Sequence, residues 1–286
     1  MNKLPVGVAL SLPPPAPHHC PDPAVFAREV ERLGFESFWA QEHTICPVTS
    51  ASKGNHNNTG ADVAGYLDPL TALARASAVT RRIKLGTSVL LAAQHHPVHL
   101  AKQVATLDHY SGGRLLLGIG GGWNREEAEM LGANFDRRWS QIREGVGVMR
   151  ELWGKETGEY HGEFYDLPPS QCFPRPAQQP GPPVLLGGKA ANVLRRVALW
   201  GDGWLPNFVT PEEVRAARAT VDEMAWKAGR DPRAIQFTLY SESHDPERIQ
   251  ALLAAGGVRV DVRPPVVTSE AQAVEALGTL ARRIFG

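Results

Sequence analysis

Short apolar and β-branched runs alternate along the chain with stretches in which apolar residues return every three or four positions. The short runs fall at 6–10, 37–40, 83–90, 115–119, 184–186, 203–205, 235–240 and 258–262, each the length of a buried strand. Between them the helical period is plain. Phe26, Val30 and Leu33 follow Asp22-Pro23, an N-cap with proline at the first helical position. Leu100, Val104 and Leu107 repeat the spacing after His96-Pro97, as do Ile142, Val146, Met149 and Trp153, and then Val214, Ala217, Val221, Met224 and Ala228. Met149 and Met224 read as core filler, the usual task of a thioether in such a stripe.

Strand and helix in strict alternation predict a parallel sheet coated by helices. Eight such units predict closure into a (β/α)8 TIM barrel, one domain over 1–286. Two irregular stretches break the rhythm. One, 46–66, is polar and rich in Gly and Asn; the other, 154–182, is dense in proline. Connections this long are expected to be insertion loops that cover a site at the carboxyl rim.

Composition narrows the partners. Lys and Arg number 30, equal to Asp and Glu, so no bulk charge draws nucleic acid or an anionic membrane. No apolar run reaches the length of a membrane helix, and the amino-terminal residues do not have the form of a secretory leader. Cys20, Cys46 and Cys172 are odd in number and far apart, which fits a reducing cytoplasm rather than a disulfide framework.

Three places carry candidate chemistry. Glu42-His43 follows the second strand, at the rim where barrel enzymes place catalytic groups, and histidine moves protons near neutral pH. Gly120, Gly121 and Gly122 follow the fourth strand and would let a flat ligand approach the backbone. Gly187, Gly188, Lys189 and Ala190 precede the helix through Leu194 and Ala198, a turn suited to a phosphate. Gly118-Ile119-Gly120 lacks the remaining spacing of a dinucleotide fingerprint, which argues against a Rossmann fold. His95-His96, His99 and His18-His19-Cys20 lack companion carboxylates at ligand spacing, so no metal site is expected. Asp108 and Arg114 bracket the turn before the fourth strand and read as a structural pair or cap.

Taken together, these residues resemble the bacterial luciferase-like superfamily of flavin- and deazaflavin-dependent oxidoreductases. The likeness is carried by Leu85-Gly86-Thr87-Ser88-Val89-Leu90, His96-Pro97-Val98, Ala105-Thr106-Leu107-Asp108 into Ser111-Gly112-Gly113-Arg114, Leu117 through Asn124, and Gly201-Asp202-Gly203-Trp204. Trp39-Ala40-Gln41-Glu42-His43-Thr44 and Gly122-Trp123-Asn124-Arg125-Glu126-Glu127 look most like the branch assigned to coenzyme F420.

The resemblance implies a cis peptide at Ser88-Val89 behind the deazaflavin ring, with Trp123 and the glycine cluster beside it. It also implies a phosphate held by Gly188, Lys189 and Ala190, and His43 facing the reactive carbon with Glu42 orienting it. A homodimer, a small-molecule substrate and a reductase that supplies reduced cofactor are implied as partners. Trp123 stands where sugar-phosphate dehydrogenases of the superfamily have a catalytic glutamate, which points to a more apolar substrate. The alternative is an FMN-dependent monooxygenase using reduced FMN and O2. A silent cofactor-binding barrel and a metal-dependent hydrolase are the readings from other classes.

Overall fold

The computed structural model describes residues 3–10, 21–47 and 65–286. His18-His19-Cys20 and most of the 46–66 stretch lie outside them. The first strands in chain order are β1 (Val6–Ala9), β2 (Ser37–Ala40), β3 (Lys84–Thr87), β4 (Leu115–Ile119), β5 (Gly158–His161) and β6 (Asp166–Ser170). They are followed by β7 (Val184–Gly187), β8 (Gly203–Leu205), β9 (Gln236–Ser241) and β10 (Arg259–Val262). Among the described residues, all but β5 and β6 close into a parallel barrel in the order β1-β10-β9-β8-β7-β4-β3-β2. The predicted (β/α)8 architecture is therefore present. Strand β3 is shorter than the apolar run suggested. It ends at Thr87, and the peptide that follows, Ser88-Val89, is cis, the feature the resemblance implied.

The helices are α1 (Pro23–Leu33), α2 (Pro69–Val79), α3 (Pro97–Ser111), α4 (Arg125–Met130), α5 (Arg138–Gly154), α6 (Val193–Leu199), α7 (Pro211–Lys227), α8 (Pro246–Ala254) and α9 (Glu270–Phe285). Asp22, Asp68, His96, Thr210 and Asp245 each cap a helix that begins on proline. The cap accepts a first-turn N–H, and proline presets the backbone without wasting a donor. On α7 the buried stripe is Val214, Ala217, Val221 and Ala225, and Met224 lies exposed. The expectation of Met224 as core filler is corrected: at about 100° per residue it sits roughly 80° off the line through Val214, whereas Ala225 returns within about 20°.

Side chains alternate across each strand. Phe237, Leu239, Val260 and Val262 face the helices in the large outer core. Inside the barrel a smaller cluster holds Ala9, Trp39, Leu116, Leu185 and Leu205, with Val89 packed above it. Trp39 is fully buried and donates from Nε1 to Ser37 Oγ at 2.8 Å. The indole takes space given up by two glycines. A Cβ on Gly86 would sit 2.1 Å from the ring, and one on Gly7 2.5 Å from Nε1. At the amino-terminal end Arg259 donates to Glu36, Gln236 and Thr238, so the wall formed by β9 and β10 is polar where the opposite wall is apolar.

The proline-dense stretch was expected to line the site and does not. Its first half is the β5–β6 hairpin, which folds back along α5, the Glu163 and Phe164 N–H groups donating to Glu144. Its second half, before β7, passes the amino-terminal end of the barrel. There Gln178 donates from Nε2 to Asp108 Oδ1 at 2.7 Å and to Leu115 O at 2.8 Å. Asp108 and Arg114 are both buried and structural, as expected, but with separate partners. Arg114 donates to the carbonyls of Ser77, Thr80, Ile83 and Ser111.

Candidate active site

A cavity of about 670 Å³ opens at the carboxyl ends of the barrel strands, a size suited to a small-molecule or cofactor site. Its wall includes every residue singled out from the sequence: Glu42, His43, Ser88, Val89, Gly120, Gly121, Gly122, Trp123, Gly187, Gly188, Lys189 and Ala190. Residues not foreseen complete it, among them Tyr66, Arg138, Tyr240, Asp261 and Arg263.

Two of the glycines have a reason beyond the one expected: Gly120 and Gly187 line the cavity and make room for Val89. A Cβ on Gly120 would lie 2.5 Å from Val89 Cγ2, and one on Gly187 2.7 Å from Cγ1. The branched side chain is thus wedged at the mouth, an apolar platform over the inner cluster. Gly188 is open: its φ is +94°, and nothing stands within 4 Å of where a Cβ would be. Its turn is pinned by Gly188 N donating to Leu205 O at 3.1 Å and by Trp204 Nε1 donating to Gly188 O at 2.9 Å. Lys189 lines this turn, but its ammonium also donates to Glu213 Oε1 at 3.1 Å.

His43 packs between Trp123 and Tyr66, with ring centroids 5.3 Å and 5.9 Å away. Its Nδ1 lies 2.7 Å from Glu127 Oε2, and the other oxygen of that carboxylate accepts the Thr44 N–H at 2.9 Å. With Glu127 accepting, Nδ1 carries the proton and Nε2 is left for the cavity. Glu127 is fully buried. It is the main residue that sequence reading missed, because Asn124-x-x-Glu127 has the form of a helix cap followed by its N3 glutamate. Asn124 does cap α4, accepting from Glu127 N at 3.1 Å, but the glutamate side chain turns to His43 instead.

The expectation that Glu42 orients His43 is corrected. Glu42 is 5% exposed, accepts the Leu91 N–H and lies 2.8 Å from His95 Nε2. Burial opposes charge on His95, yet the hydrogen bond and charge of Glu42 prevail and hold its pKa above the ordinary 6.5. A raised value in the folded state stabilises the fold fully below about pH 6.5, and that contribution disappears as pH climbs through the elevated value. His95→Gln should therefore flatten the dependence of melting temperature on pH across this window. A melting series on both proteins would show parallel curves if the pair were unimportant.

A flavin or deazaflavin needs a flat apolar backing, a place for its anionic tail and polar partners at the ring edge. Val89 and Gly188 supply the first two. Ser88 Oγ and Arg138 Nε are buried without hydrogen-bond partners, which leaves polar contacts for a ligand to make. The residues present fit such a group.

Comparisons with known proteins agree with this fold. The luciferase-like monooxygenase family profile matches residues 15–278. An uncharacterized protein of Mycobacterium tuberculosis is 41% identical over 200 residues, 67% of this chain and 68% of that one. An FMNH2-dependent dimethylsulfone monooxygenase of Pseudomonas putida is 27% identical over 166 residues, 56% of this chain and 44% of that one. The coenzyme F420-dependent tetrahydromethanopterin reductase of Methanopyrus kandleri shares the fold, with a TM-score of 0.72 at 20% identity and full coverage of both chains.

Proposed function

The chain belongs to the luciferase-like monooxygenase family, and on that premise we propose that it is an F420-dependent oxidoreductase acting on a small organic substrate. The observation that carries the reading is the His43–Glu127 pair placed beside an apolar platform and an open anion turn in one cavity. When bound, the deazaflavin supplies hydride exchange with the substrate. Val89 would back the ring, and the turn at Gly188 with Lys189 and Ala190 would hold the phosphate. His43 would give or take, at Nε2, the proton that accompanies the hydride, while Glu127 keeps Nδ1 protonated and the imidazole in place.

The preference for F420 over FMN rests on charge beyond the phosphate turn. Arg138 lines the cavity with its Nε unpartnered, and Arg196 lies close enough to Arg138 and Arg195 that burial and those two cations lower its pKa. A cluster of mutually repelling guanidiniums suits a cofactor whose tail is an acidic oligopeptide, and exceeds what one terminal phosphate needs. The alternative is an FMN-dependent monooxygenase fed with reduced FMN by a reductase; its support is the relative from Pseudomonas putida.

Fluorescence titration of the purified protein with each cofactor separates the two. F420 is expected to bind about tenfold more tightly than FMN or better, which is about 1.4 kcal/mol. Arg138→Glu with Arg196→Glu should erase most of that difference. Tighter binding of FMN would reverse the assignment.

A further inference from the structure

The polar wall of the cavity has no part in the proton relay, the apolar platform or the anion turn, yet it is a built surface. Asp261 is 1% exposed and lines the cavity, and its Oδ1 is buried with no hydrogen-bond partner. In register it lies beside Tyr240 on one side and Gly7 on the other. In the ring of eight strands, β10 stands opposite β4 and β9 opposite β3. Asp261 and Tyr240 therefore face Gly120 and Val89 across the mouth. A ring backed by Val89 would leave its second reactant between itself and this wall.

We propose that Asp261 is the substrate-recognition residue of this cavity, its Oδ1 forming a hydrogen bond with the oxygen of an uncharged carbonyl compound or alcohol. The inference rests on reading the cavity as a redox site, because it assigns the polar wall to the reactant that is not the cofactor.

The surroundings select against charge of either sign. Arg259 on β10 and Arg263 just past its end lie two residues before and after Asp261, where strand alternation puts them on its side. A cationic ligand at Asp261 would sit between two guanidiniums. An anionic one would meet the Glu242 carboxylate in the same wall and Glu36 below. Burial, only partly opposed by the charge of Arg263, pushes the Asp261 carboxyl well above the usual carboxylate range, and burial likewise lifts Tyr240 to about 12. A carboxylic acid kept neutral this way donates a hydrogen bond, as a carboxylate cannot. The titratable and charged groups around it are Tyr240 on β9 and Glu242 just after it, Arg259 on β10 and Arg263 just after it, and Glu36 before β2, with His43 in the same cavity wall; β1 contributes none.

The test uses ring-matched probes, namely cyclohexanone, cyclohexanol, cyclohexanecarboxylate and cyclohexylammonium. Binding to the purified full-length protein is read by ligand-observed NMR, with and without F420. The ketone and alcohol should bind, and the two ions about tenfold more weakly or not at all. Asp261→Leu should weaken ketone binding about tenfold or more, because a hydrogen bond to the probe is lost. Asp261→Asn, whose amide still donates, should retain it.

The Asn variant also reports the ionisation state without any ligand. Its melting temperature should exceed that of the wild type at pH 7 and match it near pH 4, since a raised carboxyl value costs stability only above the ordinary range. Unchanged ketone binding in Asp261→Leu would overturn the proposal, as would an ionised probe that binds as tightly as the ketone. Loss of F420 affinity in either variant would also overturn it, since Asp261 would then contact the cofactor ring. A wild-type protein that binds the ketone through Asp261 but neither F420 nor FMN would sink the redox reading alone.

Discussion

His43→Ala will lower kcat by about 100-fold or more while leaving cofactor affinity unchanged, because the substitution removes a proton carrier and not a ring contact. The separation of the two effects matters. A histidine that merely filled space between Trp123 and Tyr66 would, when lost, loosen the cavity and weaken binding as well. Glu127→Gln isolates the positioning role. The amide keeps the shape, but its single oxygen can accept from only one of Nδ1 and the Thr44 N–H, and it lacks the charge that favours the imidazolium. Turnover should fall by about tenfold to 100-fold, with a displaced pH–rate profile. A Gln variant with full turnover and an unmoved profile would remove Glu127 from the relay. Steady-state kinetics over a pH series, with cofactor titrated separately by fluorescence, checks each point.

Gly86→Ala will destabilise the barrel by about 3 kcal/mol or more, at the upper end for overpacked cores. For a protein of this size that is a fall in melting temperature of roughly 6 to 12 °C. The added methyl would stand 2.1 to 2.6 Å from three carbons of the Trp39 indole. That indole is fully buried and fixed by its bond to Ser37, inside a closed cylinder of hydrogen-bonded strands. Neither neighbour can yield cheaply. The control is a double variant: with Trp39→Leu, Gly86→Ala should cost far less than it does alone. Calorimetry on the four proteins of that cycle measures the coupling, and additive effects would exclude the clash as the cause.

The barrel was legible because its signal is repetitive. Eight apolar runs separated by helical stripes leave little choice of architecture, and the caps at Asp22 and His96 mark helix starts by local chemistry alone. The site was legible as far as chain order fixes it, since residues after a barrel strand fall at the carboxyl rim. Pairings across the rim were not. Glu42 and His43 are neighbours in sequence but turn to opposite partners, His95 and Glu127, and nothing in their spacing says so. The proline-dense stretch was misplaced because its length was read and its topology was not: its first half is a hairpin laid along α5, and its second half joins that hairpin to β7 at the other end of the barrel. Asp261 did leave a trace. Arg259-Val260-Asp261-Val262-Arg263 alternates charge with valine, and once helices coat the outside, the charged face has only the interior to occupy.

The diversion of Glu127 from its own helix end ties two events together. The carboxylate that steers His43 belongs to the first turn of α4, a helix of six residues held at its start by Asn124. Whenever that single turn frays, the imidazole loses its anchor while the barrel beneath stays intact. In the proposed reaction the proton carrier thus depends on one of the smallest cooperative pieces of the molecule.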